Sequence, residues 1–358
     1  MFFRIVAAAL LIFAIAGCGP DDSSAKKAER NPINAPTVSV NGQTPPLGPL
    51  PRIAQPEHYR LALTIDPAKA RFSGHAEIDV NFTQACKSIF IHGLDLHVTN
   101  AVATFGGTSV AIAYQQVDKS GVATLTFAMP VPAGKATLAF DYDAPFNTSL
   151  SGLYKVTDAG EHYAFTQFEA IDARRMFPSF DEPGFKTPFD VSVTAPDGDK
   201  VIANTPVVND TSAGNGMTKW VFAATKPLPT YLIALAVGPL DIVDGGEIPA
   251  DAVRSRPIHL RGITKKGQGT RIKYALSLTP AIVRQLEKYY GIAYPYQKLD
   301  VLAVPDFAAG AMENAGAVTF REQLLLMDDN APLEQRRSSL SVQAHELAHQ
   351  WFGDLVTP

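Results

Sequence analysis

The chain is poor in cysteine, with only Cys18 and Cys86 among 358 residues. That excludes a fold stapled by disulfides and a cysteine-rich metal module. Lysine and arginine nowhere form a run, and the formal net charge is -4, so the electrostatic footprint of a nucleic-acid binder is missing and no nucleic-acid partner is expected. There is no internal repeat and no glycine-rich nucleotide loop. The apolar stretch from Ile5 to Ala16 is too short to span a bilayer as a mature helix. What remains is 46% hydrophobic, enough in a chain of this length for a large core and more than one domain.

The first residues read as a targeting segment, with Arg4 ahead of the apolar stretch. Ile15-Ala16-Gly17-Cys18 resembles a bacterial lipobox, which makes residues 1–18 a lipoprotein signal peptide and Cys18 the lipidated mature N-terminus. The alternative is a plain secretory cleavage site with an incidental cysteine. A lipid anchor implies a membrane partner, and Gly19 after the cysteine points to the periplasmic side of the outer membrane in a Gram-negative host. Cys86 is then left alone and reads as a small buried apolar residue.

Residues 19–51, rich in Pro, Ser, Asn and charge, read as a disordered tether. Short alternating runs separated by turn residues then predict an all-β domain over 52–248. Composition shifts after it. Residues 256–358 begin a second domain, with a helix from about Thr270 to Tyr290 kinked at Pro280 and a buried strand Leu299–Val304. The segment from Ala311 to Thr319 reads as one further strand. A helix runs from Leu333 to Phe352, capped by Asn330, with Pro332 and Glu334 in its first turn and Gly353 at its end.

On that last helix stands His345-Glu346-Leu347-Ala348-His349. Residues four apart share a helix face, so both imidazoles can reach one metal ion. Glu346 is turned about 100° away, close enough to reach a water on that metal without ligating it. Two neutral nitrogens for Zn²⁺ and a carboxylate base for a water acidified to a pKa of about 7 make a zinc hydrolase site. No histidine follows His349, so a third protein ligand must come from elsewhere. An amphipathic helix with two satisfied histidines is the plain alternative.

Gly310-Ala311-Met312-Glu313-Asn314 lies upstream. Together with His345 to Pro358 it resembles the double signature of the gluzincin aminopeptidases, the family of aminopeptidase N and leukotriene hydrolase. The resemblance extends over Phe165–Ala170, Asp172–Arg175 and Phe180–Pro183, and back to Glu57–Leu61. It implies a multidomain protein: a saddle-like all-β domain, then the first part of a thermolysin-like α+β catalytic domain. It implies one Zn²⁺ held by His345 and His349, with Glu346 as base, and peptide substrates carrying a free N-terminus. In this resemblance Glu169 and Glu313 hold the substrate amine, while Gly310 and Ala311 align the first peptide unit and Gln167, Met312 and Asn314 complete the binding set. Gln167 and Glu169 are expected on one face of a strand by period-two alternation. Asp172, Arg174 and Arg175 read as a salt-bridged corner. The family's third ligand, a glutamate, and its transition-state tyrosine are expected beyond Pro358, so the chain is expected to be an N-terminal portion, inactive by itself. Within enzymes an endopeptidase or an epoxide hydrolase is the rival reading, and outside them a non-catalytic peptide-binding scaffold.

Overall fold

Strict alternation of buried and exposed residues builds most of this molecule, as β2 and β7 illustrate below. The computed structural model describes residues 44–357; the targeting segment, Cys18 and most of the tether lie outside the described residues. Numbered in chain order, the first strands are β1 (Ala54–Thr64), β2 (Arg71–Phe82), β3 (Cys86–His92), β4 (His97–Phe105), β5 (Thr108–Gln116), β6 (Val122–Val131) and β7 (Gly134–Pro145). Next come β8 (Gly152–Asp158), β9 (Glu161–Gln167), β10 (Phe189–Pro196), β11 (Lys200–Ala203), β12 (Val207–Gly214), β13 (Met217–Phe222) and β14 (Leu235–Gly238).

Ten of these strands form one sheet in the order β12-β13-β10-β1-β2-β7-β4-β5-β6-β3. Ile78, Val80, Leu138 and Phe140 point into the core, while Arg60, Glu77, Asp79 and Asp141 decorate the other face. The inner face carries stacked aromatics: Tyr59 lies on Phe189 with centroids 4.7 Å apart. β1 pairs in parallel with β10, Tyr59 opposite Phe189. A second sheet, β11-β14-β9-β8, carries the segment that leads to Glu169.

The remaining elements are β15 (Leu240–Ile248), β16 (Ile258–Lys265), α1 (Lys273–Tyr290), β17 (Lys298–Val304), β18 (Ala311–Met312), β19 (Ala317–Arg321), α2 (Glu322–Leu325) and α3 (Leu333–His349). They supply a five-stranded sheet, β15-β16-β17-β19-β18, in which β16, β17 and β19 run parallel. β17 is buried at every residue, as a central parallel strand must be. β15 lies within the span expected for the first domain, yet it hydrogen-bonds to β16 and so joins this five-stranded sheet. No described helix is long and apolar enough to cross a membrane.

Several local expectations change. Residues 311–319 are not one strand: β18 turns back on β19 through Gly316, whose φ of 71° suits glycine. α3 starts at Leu333 with Pro332 as its cap residue and no side-chain cap, so Asn330 does not cap it; proline at the boundary fixes the entry instead. α1 continues through Pro280 without a break. Cys86 is half-buried rather than buried, and that burial pushes its thiol up to about 11.

The expected corner divides in two. Arg175 pairs with Asp172 at 2.8 Å, near the surface, whereas the buried Arg174 pairs with Asp181 at 2.9 Å. Asp181 also accepts the Thr230 hydroxyl at 2.6 Å, and its backbone N–H donates to Nδ1 of buried His92 at 3.1 Å.

Candidate metal centre and substrate cleft

α3 carries the two histidines at its C-terminal end because Leu347 and Trp351, 1% and 2% exposed, dock the helix onto the core. Leu340 is exposed, and the helix turns Ser339 and Gln343 inward there instead, Gln343 accepting the Thr279 hydroxyl of α1 at 3.1 Å. His345 and His349 project together, and their Nε2 atoms are 3.1 Å apart. Two nitrogens each about 2.0–2.1 Å from one tetrahedral zinc stand about 3.3 Å apart, so this pair fits that ion.

The tautomer fits as well. Nδ1 of His349 lies 2.9 Å from the carbonyl oxygen of Phe352. A carbonyl can only accept, so Nδ1 carries the proton and Nε2 keeps its lone pair for a metal. Among the described residues no third His, Cys, Asp or Glu gathers with these two in a way that could hold a metal ion. Asp354 is wholly buried nearby, its backbone N–H donating to the His349 carbonyl at 3.0 Å, and its carboxylate is held far above the usual range by burial and by Glu313.

Glu346 is 6% exposed, beneath the two imidazoles on the same helix. Burial, reinforced by the negative charges of Glu313 and Glu169, pushes its carboxyl up to about 8. Glu169 is raised in turn, by burial first and then by Glu313, with His349 acting the other way. These mutual effects place Glu169, Glu313 and Glu346 in one field: a cluster of carboxylates that a cation would relieve. Tyr231, from the β domain, faces the same charges; burial and then Glu313 push its phenol far above its ordinary value.

The carboxylates arrive from three directions. β9 ends at Gln167, and Glu169 follows in the turn, joined to Ala170 by a cis peptide. The alternation expected to put Gln167 and Glu169 on one strand face therefore does not reach Glu169. Gln167 is buried and donates to the sulfur of Met312 at 3.5 Å, which ties β9 to β18. β18 occupies the outer edge of its sheet, and Gly310 before it is exposed with open space around its α-carbon. Met312 and Asn314 turn into the protein, Asn314 donating to the Thr319 hydroxyl at 3.2 Å.

Three buried residues that the sequence reading did not single out close around this segment. Gln350 donates to the Glu313 carbonyl at 2.6 Å, Asn204 to that of Ala315 at 3.0 Å, and Lys298 to that of Gly316 at 2.7 Å. Only the company of Gln350 with the histidines marked it in the sequence; Asn204 and Lys298 lie far off along the chain.

Comparison with known proteins finds two family domains along the chain. Residues 55–232 match the Peptidase M1 N-terminal domain, and residues 274–358 match the Peptidase family M1 domain. An aminopeptidase N of Acetobacter pasteurianus is 34% identical over 317 residues, covering 87% of this chain and 86% of that protein. Aminopeptidase M1-D of rice is 36% identical over 313 residues, 86% of this chain but 35% of its own length. The puromycin-sensitive aminopeptidase of Caenorhabditis elegans is 33% identical over 317 residues, 86% of this chain and 33% of its own length. The chain thus spans about a third of the rice relative's length. Matched by both family domains, and 34% identical to an aminopeptidase N of which it covers 86%, the chain belongs to the M1 peptidase family.

Proposed function

We propose that the chain carries the zinc-binding helix and the amine-recognising cleft of an aminopeptidase that removes N-terminal residues from peptides. The observation that carries this reading is the meeting of Glu169, Glu313 and Glu346 beside two imidazoles whose Nε2 atoms are 3.1 Å apart. His345 and His349 would hold Zn²⁺, which when bound acidifies water and polarises a peptide carbonyl. A carboxylate oxygen of Glu346 takes the proton from the attacking water and delivers it to the departing amine nitrogen. Glu169 and Glu313 face the substrate α-ammonium, whose charge offsets theirs and sets which peptide bond lies at the histidines. The free edge of β18 offers backbone groups to an extended peptide, and exposed Gly310 leaves room for it to lie close.

The test joins metal content to substrate choice. The zinc-loaded full-length protein should cleave peptides with a free amine and leave N-acetylated ones nearly untouched. Glu313→Gln should lower kcat/KM on free peptides by roughly 30-fold or more while zinc stays bound. Equal cleavage of free and blocked peptides moves the assignment to an endopeptidase, and absence of bound metal moves it to a peptide-binding scaffold.

We further propose that Cys18 anchors the protein to the cell envelope by lipidation, on the strength of Arg4, the apolar stretch and Ile15-Ala16-Gly17-Cys18. Cys18→Ala should release the protein from the membrane fraction or block its processing. A variant that stays bound and is processed normally overturns this.

A further inference from the structure

The turn that carries Glu313 is held by its carbonyl groups. Gln350 donates through Nε2 to the Glu313 oxygen at 2.6 Å. The Ala317 N–H donates to the Asn314 oxygen at 2.9 Å. Asn204 donates through Nδ2 to the Ala315 oxygen at 3.0 Å, and Lys298 through Nζ to the Gly316 oxygen at 2.7 Å. Gln350 also accepts the Gly316 N–H at 3.1 Å and the Tyr294 hydroxyl at 3.3 Å, so it grips both ends of the turn. Gln350 itself is wholly buried, and Asn204 and Lys298 are 4% exposed. Solvent cannot replace these donors, so each is a fixed strut.

Gln350 directly follows His349, at the end of the helix that presents both imidazoles. Asn204 belongs to the β domain, where it also donates to the Leu232 oxygen at 2.7 Å and accepts the Ala234 N–H at 2.9 Å. The side chain of Gln350 therefore spans directly from the histidine helix to the backbone of the amine-facing carboxylate. Asn204 ties the same turn to the segment around Tyr231.

Resting on the aminopeptidase reading above, we propose that Gln350 is a positioning residue that sets the distance from the metal-binding histidines to Glu313, with Asn204 as its counterpart from the β domain. Together they fix how far from the reacting bond a free amine is sought. A displacement near 1 Å at this point is enough to cost a large factor in the alignment of amine and scissile bond.

The test uses the zinc-loaded full-length protein and two probes, leucinamide and N-acetyl-leucinamide, titrated calorimetrically, with zinc content measured alongside. Gln350→Met keeps the side-chain length and removes both hydrogen-bonding ends. Its preference for the free amine should fall roughly tenfold, KM for unblocked peptides should rise more than kcat falls, and zinc should remain stoichiometric. A merely structural role would lower the folded, zinc-bearing fraction and leave the amine preference and KM of the survivors unchanged. Asn204→Asp keeps the acceptor for Ala234 and loses the donors to Leu232 and Ala315, so it should shift the same preference in the same direction. It decides the matter if Gln350→Met fails to fold. An unchanged preference in whichever variant folds overturns the proposal. If the wild-type protein itself shows no preference for the free amine, the aminopeptidase reading fails first, and that outcome is separate.

Discussion

Replacing Gly316 by alanine separates two penalties that usually come mixed. Gly316 has φ of 71°, and a Cβ there would sit 2.5 Å from the backbone oxygen of Asn204. The backbone conformation alone costs an L-residue about 1–2 kcal/mol. The overlap adds a further ~1–3 kcal/mol, because Asn204 is a buried residue bonded to Leu232, Ala234 and Ala315 and its backbone has little freedom to retreat. Gly267 supplies the control: its φ is 79°, and a Cβ there meets nothing within 4 Å. Gly267→Ala should therefore lose about 1–2 kcal/mol and Gly316→Ala about 2–5 kcal/mol in urea unfolding followed by tryptophan fluorescence and circular dichroism. Gly316→Ala should also weaken binding of a free-amine ligand, which Gly267→Ala should leave untouched. Equal stability losses in the two variants would refute the steric half of the argument. Unaltered ligand binding in a folded Gly316→Ala would refute the placement of Glu313 by this turn.

Further expectations concern chemistry, charge and pH. Glu346→Gln should abolish peptide turnover while zinc analysis shows the metal retained, because the ligands are untouched; loss of metal together with activity would assign Glu346 a ligand's role instead. Arg174→Met strands Asp181, 1% exposed, without its cation and should cost about 3–5 kcal/mol by thermal or urea unfolding; a loss below about 1 kcal/mol would mean that Thr230 suffices to hold that carboxylate. Burial, aided by Arg174, depresses the His92 imidazole from 6.5 to about 3, so the unfolded chain binds a proton that the folded one refuses throughout that window. Stability must then rise with pH across it and be lost as pH falls, by about 2 kcal/mol at pH 5. His92→Asn, which keeps an acceptor for the Asp181 N–H, should flatten the acid limb of a stability-against-pH curve, and an unchanged slope would show that His92 is not its source.

The pairing of His345 with His349 was legible in the sequence because helix periodicity alone puts the two on one face. The β domain was legible because alternation survives strand by strand, as in β2 and β7. The cleft was harder to read. Gly316 looks like any strand glycine until its φ is known, so the reversal between β18 and β19 passed for continuous strand. Glu169 lies just past the end of β9, where period two no longer applies. Pro332 rather than Asn330 begins α3, a choice of one or two residues that composition does not resolve. Gln350, Asn204 and Lys298 were invisible for a different reason: each acts on backbone carbonyls, and a carbonyl has no letter in a sequence. Only the resemblance to the aminopeptidases linked Glu169 to Glu313 across so much intervening chain.

The parallel pairing of β1 with β10 bears on how the chain reaches this state. β1 is among the first strands made, and its β10 side stays unpaired until β8, β9 and the turn after Glu169 have all been synthesised. β2 can zip onto the other side at once by a local hairpin, whereas Tyr59 must wait for Phe189 before its ring is covered. Such sequence-distant closure makes for slow folding and leaves a half-finished sheet with a sticky margin during synthesis. In a growing chain, the interval between the appearance of Tyr59 and that of Phe189 is when protection by a chaperone matters most.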